Sequence, residues 1–189
     1  MKYHIKWLTD HIEKEEKVKF LFFWGHQPDK SGLITSTCFS QWWNSPFFVE
    51  NVIYKTSEHW MMAQKALLFG DKDIFEKIIT SKSPGEAKEL GRQVNNFDAS
   101  VWEEKRFDIV LQGNLHKFGQ HKEIKEFLLN TKERILVEAS PVDHIWGIGL
   151  SADHVHAENP ELWNGINLLG FVLMETRDIL RSETNKKQS

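Results

Sequence analysis

The chain has 189 residues, 40% of them hydrophobic and 27% charged, an ordinary globular balance with length enough for a sizeable core. Its net charge of −3 does not favour a general nucleic-acid binder, although one short basic cleft stays compatible with it. A single cysteine, Cys38, excludes an intrachain disulfide and a cysteine-based zinc site, and no apolar run approaches membrane-spanning length. Met1 to Lys19 is charged and lacks the apolar core of a signal peptide, so a cytoplasmic protein is expected. Eight Trp and thirteen Phe supply faces that suit stacking on nucleobases, though for most of them core filling is the expected role.

Residues 1–19 read as an accessory segment in which Ile5, Leu8 and Ile12 sit near helical spacing, followed by a charge run over Lys14 to Lys19. Phe20 to Trp24 is an apolar aromatic run expected as a buried strand, ended by Gly25 and Pro28 and followed by a loop over 27–32. Thr35 to Phe39 is expected as a second short strand. Ser40 to Phe47 interleaves polar and aromatic residues, a composition suited to a pocket rim. Phe48 to Tyr54 is expected as strand with a turn near Glu50 and Asn51.

Tyr54 to Phe69 reads as one helix, with Ser57 as N-cap and Gly70 as its stop. Glu58 and Lys65 are seven apart, so both point to one side, with Met62 between them. A solvated surface helix is the bland alternative, but Trp60, Met61, Met62, Ala63, Ala66, Leu67 and Leu68 leave little polar surface. A helix apolar nearly all round is buried, and buried Glu and Lys need partners or a chemical task.

Helix is expected to continue over Asp71 to Ile79. Ser83-Pro84-Gly85-Glu86 is a capping box opening a short helix that stops at Gly91. Arg92 follows, suited to bidentate hold on a phosphate or carboxylate, with a surface ion pair as the competing role. Asp98 or Ser100 caps a long helix to about Phe118, in which Trp102, Arg106, Ile109 and Val110 recur at helical spacing. A helix near 123–129 and a strand over 135–139 come next.

Ser140 to Leu150, S-P-V-D-H-I-W-G-I-G-L, is a loop with unusual backbone demands in which Asp143 and Trp146 are three apart. It lacks the third glycine of a dinucleotide fingerprint. Asp153-His154-Val155-His156 is too sparse a ligand set to predict metal. Asn167 to Leu180 is the last helix, and residues 182–189 form a polar tail expected to fray.

The pieces Phe23-Trp24-Gly25, Phe39-Ser40-Gln41-Trp42, Thr56-Ser57-Glu58-His59-Trp60, Ala63-Gln64-Lys65, Gly91-Arg92, Asp143 to Gly149 and Trp163-Gly165-Asn167-Leu169-Gly170 carry a resemblance. In that order they resemble the NADAR (YbiA-like) N-glycosidase family over roughly residues 20–181, leaving 1–19 outside the shared region. The W-M-M-A-x-K-A form is most similar to members linked to riboflavin-pathway intermediates. Trp24 departs from the Tyr of many members. Stacking survives that change and a phenol contact does not.

The resemblance implies a single, mainly α domain with a few short β-strands, and cleavage of an N-glycosidic bond between a ribosyl carbon and an amine or base. It implies a small phosphoribosyl or ADP-ribosyl substrate, no cofactor and no metal. Two schemes stay open. In one, uncharged Lys65 attacks C1′ to form a Schiff base while Glu58 moves protons. In the other, water attacks directly, with Glu58 and Asp143 as the acid–base pair. The resemblance favours the first. It makes Trp24, Trp42 and Trp146 candidates for stacking or pocket walls, and Arg92 and Asn167 candidates for phosphate and ribose hydroxyls. Gly25, Ser40, His59 and Trp102 complete the substrate-binding set, with a satisfied buried hydrogen bond as the competing role of His59. A catalytically silent ADP-ribose-binding module is disfavoured by intact Glu58 and Lys65. Removal of ADP-ribose from nucleic-acid bases is disfavoured by the acidic charge.

Overall fold

The computed structural model describes residues 1–14, 18–30 and 32–186. In chain order these form α1 (Ile5–Lys14), β1 (Phe20–Phe23), a 3-10 turn (Ser36–Phe39), β2 (Phe47–Val49), β3 (Val52–Tyr54), α2 (Ser57–Leu68), α3 (Lys72–Thr80), α4 (Pro84–Gly91), α5 (Ala99–Gln120), α6 (Lys122–Leu129), β4 (Ile135–Glu138), a second 3-10 turn (Pro160–Leu162) and α7 (Leu168–Lys186). This is the mainly helical fold with few short strands that was expected. The chain divides into two compact units, Met1–Ser40 with Glu123–Ser189, and Gln41–Lys122.

In the first unit β1 and β4 pair in parallel, Phe20 opposite Ile135 and Phe23 opposite Glu138. Parallel strands need a long connection, and residues 41–122 are inserted in it. β4 is buried along Ile135, Leu136 and Val137, and α7 packs on it. The approach is close because residue 170 is glycine: a Cβ there would lie 2.1 Å from the Leu136 carbonyl oxygen. β1 is only half-buried up to Phe23, and Trp24, expected inside the strand, lies beyond it and is 58% exposed.

Ser36–Phe39 forms a 3-10 turn, where a strand was expected over Thr35 to Phe39. Cys38 N donates to Thr35 O, Ser40 N donates to Thr37 O, and the Thr35 and Thr37 hydroxyls bond each other at 2.8 Å. Local bonds outweigh the strand preference of threonine, which depends on a partner strand. The last helix also runs past Leu180 to Lys186. Its polar end is held in place: Arg181 bonds the Glu133 carboxylate and the Lys132 carbonyl. Asp178 accepts from Lys2 and from the Tyr3 hydroxyl, which ties the N-terminal segment to α7. The charge run expected over Lys14 to Lys19, the loop at residue 31 and the end of the tail lie partly outside the described residues.

In the second unit β2 and β3 form a hairpin, and Glu50 and Asn51 at its turn have φ of 48° and 68°, as a tight two-residue turn requires. Tyr54 belongs to β3, so α2 starts three residues later than expected. Thr56, not Ser57, is its N-cap, because Thr56 keeps an extended backbone and its side chain accepts from His59 N. Gly70, at φ 74°, ends α2 as expected. Its left-handed backbone also separates α3, which Asp71 caps by accepting from Ile74 N.

α2 packs against α3, α4 and α5. Two glycines set the spacing. A Cβ on Gly91 of α4 would meet Met62 Sδ at 2.1 Å, and one on Gly113 of α5 would meet Trp60 Cδ1 at 2.4 Å. The Trp60 indole nitrogen donates to the Ile109 carbonyl at 2.8 Å, and Phe47, Tyr54 and His116 surround the ring.

Gly170→Ala sets a methyl against backbone that cannot move cheaply, so we expect a loss of ~1–3 kcal/mol in urea unfolding. Gly119, in the same chain but with open space around its Cβ position, is expected to gain roughly 0.5–1 kcal/mol on substitution by Ala.

Candidate active site

The second unit carries the acid and the amine. Glu58 sits in the first turn of α2 and is 3% exposed. The helix dipole favours a carboxylate there. Its backbone N–H donates to the Gln41 carbonyl at 2.9 Å. Beside it, Ser57 Oγ and both amide atoms of Gln41 are buried without a hydrogen-bond partner in the structure. Buried polar groups are nearly always satisfied, so the unsatisfied carboxamide of the residue whose backbone holds the Glu58 amide is a candidate substrate contact.

Lys65 lies two turns along the same helix, about 10.5 Å of axial rise from Glu58. Its Nζ donates to the Gly91 carbonyl at 2.8 Å. It also lies 4.2 Å from the centre of the Phe97 ring and 5.7 Å from that of Trp102. Phe69 buttresses Phe97 edge to face, with ring centres 5.3 Å apart. Among the described residues no carboxylate pairs with Lys65, and burial in this aromatic cage pushes its pKa below the ordinary lysine value.

The other candidates in this unit are placed differently. His59 is buried, with Nδ1 2.8 Å from Thr56 Oγ1, and burial pushes its imidazole pKa down. It braces the start of α2. Trp42 is half-buried and packs over Gly85 at the start of α4. Arg92 is exposed and bonds Glu89 at 2.7 Å, the surface ion pair that competed with a phosphate role. Trp102 is half-buried beside Lys65.

In the first unit the loop expected to have unusual backbone demands is laced together by its own amides. Asp143 Oδ1 accepts from Ile145 N at 2.9 Å and Trp146 N at 2.7 Å, and the Asp143 carbonyl accepts from Gly149 N. Leu169 N donates to the Trp146 carbonyl, and Asn167 N to that of Gly147. Asn167 is fully buried at φ 51°. Its Oδ1 accepts from Glu138 N at 3.0 Å, and its Nδ2 donates to Leu136 O at 2.9 Å. Its amide is therefore spent on β4 backbone rather than open to a ribose hydroxyl. Trp24 and Gly25 (φ 81°) are exposed at the end of β1, Trp146 is half-buried, and Ser40 closes the first 3-10 turn. His154 and His156 are tied to each other, His156 N donating to His154 Nδ1 at 3.2 Å.

Sequence reasoning missed Gln41 and Phe97. Gln41 lay inside the Phe39–Trp42 piece and is a lone amide among aromatics, which was a usable signal. Phe97 reaches Lys65 through tertiary contact alone. The segment before it is positioned by Asp71, whose Oδ2 accepts from both the backbone and the side chain of Asn95.

A buried acid and a half-buried amine on one helix, with aromatic rings beside the amine, are chemically suited to acid–base and nucleophilic work on a ring-bearing substrate, the kind of chemistry an N-glycosyl hydrolase performs. Residues 22–181 match the NADAR domain family. The chain is 42% identical over 171 residues to N-glycosidase R617 of Acanthamoeba polyphaga mimivirus, covering 86% of this chain and 97% of that protein. It is 33% identical over 145 residues to N-glycosidase YbiA of Escherichia coli (strain K12), covering 77% and 80%. The NMR structure of E. coli YbiA superimposes with a TM-score of 0.68 at 29% identity, covering 90% of this chain and 89% of that one. This chain belongs to the NADAR family and is an N-glycosyl hydrolase.

Asn167→Ala removes two bonds to β4 and puts a Cβ-bearing residue without a polar side chain at positive φ. We expect a loss of ~3 kcal/mol in thermal unfolding. A variant of native stability that had lost turnover would instead return Asn167 to the substrate.

Proposed function

We propose that the chain hydrolyses the N-glycosidic bond of small phosphoribosylated amines, of the 5-amino-6-(5-phosphoribosylamino)uracil type found in riboflavin biosynthesis, through a Schiff base on Lys65. The observation that carries this reading is the surroundings of Lys65: an amine beside two aromatic rings, bonded to a carbonyl, with no carboxylate paired to it among the described residues.

The steps balance as follows. The ribosylamine opens its furanose ring, a proton passing to O4′, to give an imine at C1′. Neutral Lys65 adds its Nζ lone pair to C1′, and two protons pass in turn from Nζ to the departing nitrogen, the first neutralising the adduct and the second as the bond breaks. The bond from C1′ to that nitrogen breaks, the amine leaves neutral, and a lysine imine remains at C1′. Water adds to this imine, the C1′–Nζ bond breaks, and free sugar phosphate and neutral Lys65 are released. Glu58, kept from solvent at the head of the same helix, is the proposed carrier of these protons. Gln41 and Ser57 are proposed to bind polar groups of the substrate beside it, and Trp102 and Phe97 to shield the amine from water. Asp143, the acid–base candidate of the direct-water scheme, has Oδ1 occupied by two loop amides, which supports a loop-organising role.

Borohydride reduction in the presence of ribose 5-phosphate, ADP-ribose or a phosphoribosylaminopyrimidine tests the scheme, read by intact mass and peptide map. We expect a reduced adduct on Lys65, most abundant with the phosphoribosyl compounds. Base release without any adduct, and a greater loss in Asp143→Asn than in Lys65→Ala, would establish direct water attack instead. Preference for ADP-ribose would move the substrate to ADP-ribosylated bases.

The pH profile follows from the sign of the Lys65 shift. The attacking form is neutral and burial favours it, so kcat/KM should rise with pH as Lys65 loses its proton and level off below the ordinary lysine value of 10.5. Lys65→Arg, which stays charged at every accessible pH, should show no such limb and no turnover.

A further inference from the structure

The first unit holds a cavity of about 720 Å³ whose lining includes none of the catalytic or substrate-binding candidates. One wall is aromatic. Tyr3 meets Trp7 edge to face at 4.5 Å, and Trp7 stacks on His11 at 4.9 Å. All three stand on the N-terminal segment, outside the residues matched to the family. The lining is also cationic. Arg134, Lys132, Lys19 and Arg177 face one lining carboxylate, Glu133, and Glu133 is already bonded to Arg181. This concentration of positive charge stands out in a chain of net charge −3.

Arg177 is the informative residue. It is 1% exposed, Nη1 donates to Thr131 Oγ1 at 2.9 Å and to the Arg134 carbonyl at 2.8 Å, and Nε has no partner. Among the described residues it makes no ion pair. Burial pushes its pKa down, yet a guanidinium keeps its proton. Asp178 and Glu133 act on it through space without a direct ion pair, so an anion in the cavity would add a close counter-charge to a buried cation. Several converging cations suit the double charge of a phosphate monoester better than a single carboxylate. The volume lies within the range of small-molecule sites, and the aromatic wall suits a planar ring.

We propose that this cavity is an accessory binding site for a mononucleotide-class ligand, its phosphate on the Arg177–Arg134 side and its ring against the Trp7 wall. Occupancy would hold α1 to α7 and to the 130–135 segment, giving the N-terminal segment a ligand-dependent role separate from turnover at Lys65.

The chain has four methionines. Met174 lines the cavity, and Met61 and Met62 lie on α2, so methionine-methyl NMR reports both places at once. On titration with AMP we expect the Met174 methyl to move saturably. Arg134→Ala, an exposed position chosen to spare the fold, should raise its midpoint at least tenfold. Inorganic phosphate should act only at higher concentration, and adenosine should leave the signal in place. A Met174 methyl unmoved by millimolar AMP would overturn the proposal. So would an unchanged midpoint in both Arg134→Ala and a folded Arg177→Gln. Equal midpoints for phosphate and AMP would overturn the ring-binding half and leave an anion site.

Discussion

A half-buried amine held against a backbone carbonyl and two aromatic rings is the constraint on which the second unit depends. Partial burial beside Phe97 and Trp102 shifts Lys65 toward its neutral form. That preference lasts only while these rings stay against the amine. The cage in turn requires α2 to be buried on three sides. Met62 and Trp60 lie where side chains on α4 and α5 would otherwise stand, so Gly91 and Gly113 are what allow the close packing. Gly91 serves twice, since the residue that admits Met62 also offers the carbonyl that receives Lys65. Packing and electrostatics are thus one arrangement here: loosening α4 from α2 would wet the amine and remove its hydrogen-bond acceptor together.

Much of this could be read along the chain. The seven-residue spacing of Glu58 and Lys65 on a helix with almost no polar surface required burial of the acid. The capping box at Ser83 and the stop at Gly70 follow local rules that the structure obeys: Ser83 Oγ accepts from Glu86 N at 3.2 Å. The boundary of α2 was less legible because Thr56 and Ser57 are equally good caps by type. Only the β3 pairing of Tyr54 with Phe47 decides where extended backbone ends. The 3-10 turn at Ser36–Phe39 was misread for a similar reason. Threonine is at home in strands only when a neighbouring strand is present, and a sequence window does not contain its neighbours.

What the sequence hid were roles decided by tertiary contact. Asn167 has the right chemistry for a sugar hydroxyl, and nothing local says that β4 backbone consumes both ends of its amide. Asp143 resembles a catalytic acid by type, yet its Oδ1 organises the loop that follows. Arg92 resembles a phosphate clamp and turns to Glu89. Phe97, which no periodicity marks, stands against the amine because Asp71 and Asn95 hold its segment.

These cases share a sorting rule with a physical basis. A polar side chain whose hydrogen-bonding capacity is met inside the fold contributes stability by staying where it is. One buried with capacity unmet weakens the fold and persists where something else compensates. Asn167 and Asp71 belong to the first kind, and the carboxamide of Gln41 and the hydroxyl of Ser57 to the second. Asn114 is intermediate: its Nδ2 donates to the Val110 carbonyl while Oδ1 is unmet, a modest deficit in the body of α5. Gln41 lacks partners at both ends, and it does so at the head of the helix that carries Glu58. The unmet Nε of Arg177 lies at the cavity of the first unit, whose lining the N-terminal residues Tyr3, Trp7, His11, Val18 and Lys19 share with residues 130–135, Met174 and Arg177 of the matched region. Unmet polar capacity thus includes groups at the head of α2, in the second unit, and Arg177 on α7, beside a cavity that Tyr3, Trp7 and His11 help to line.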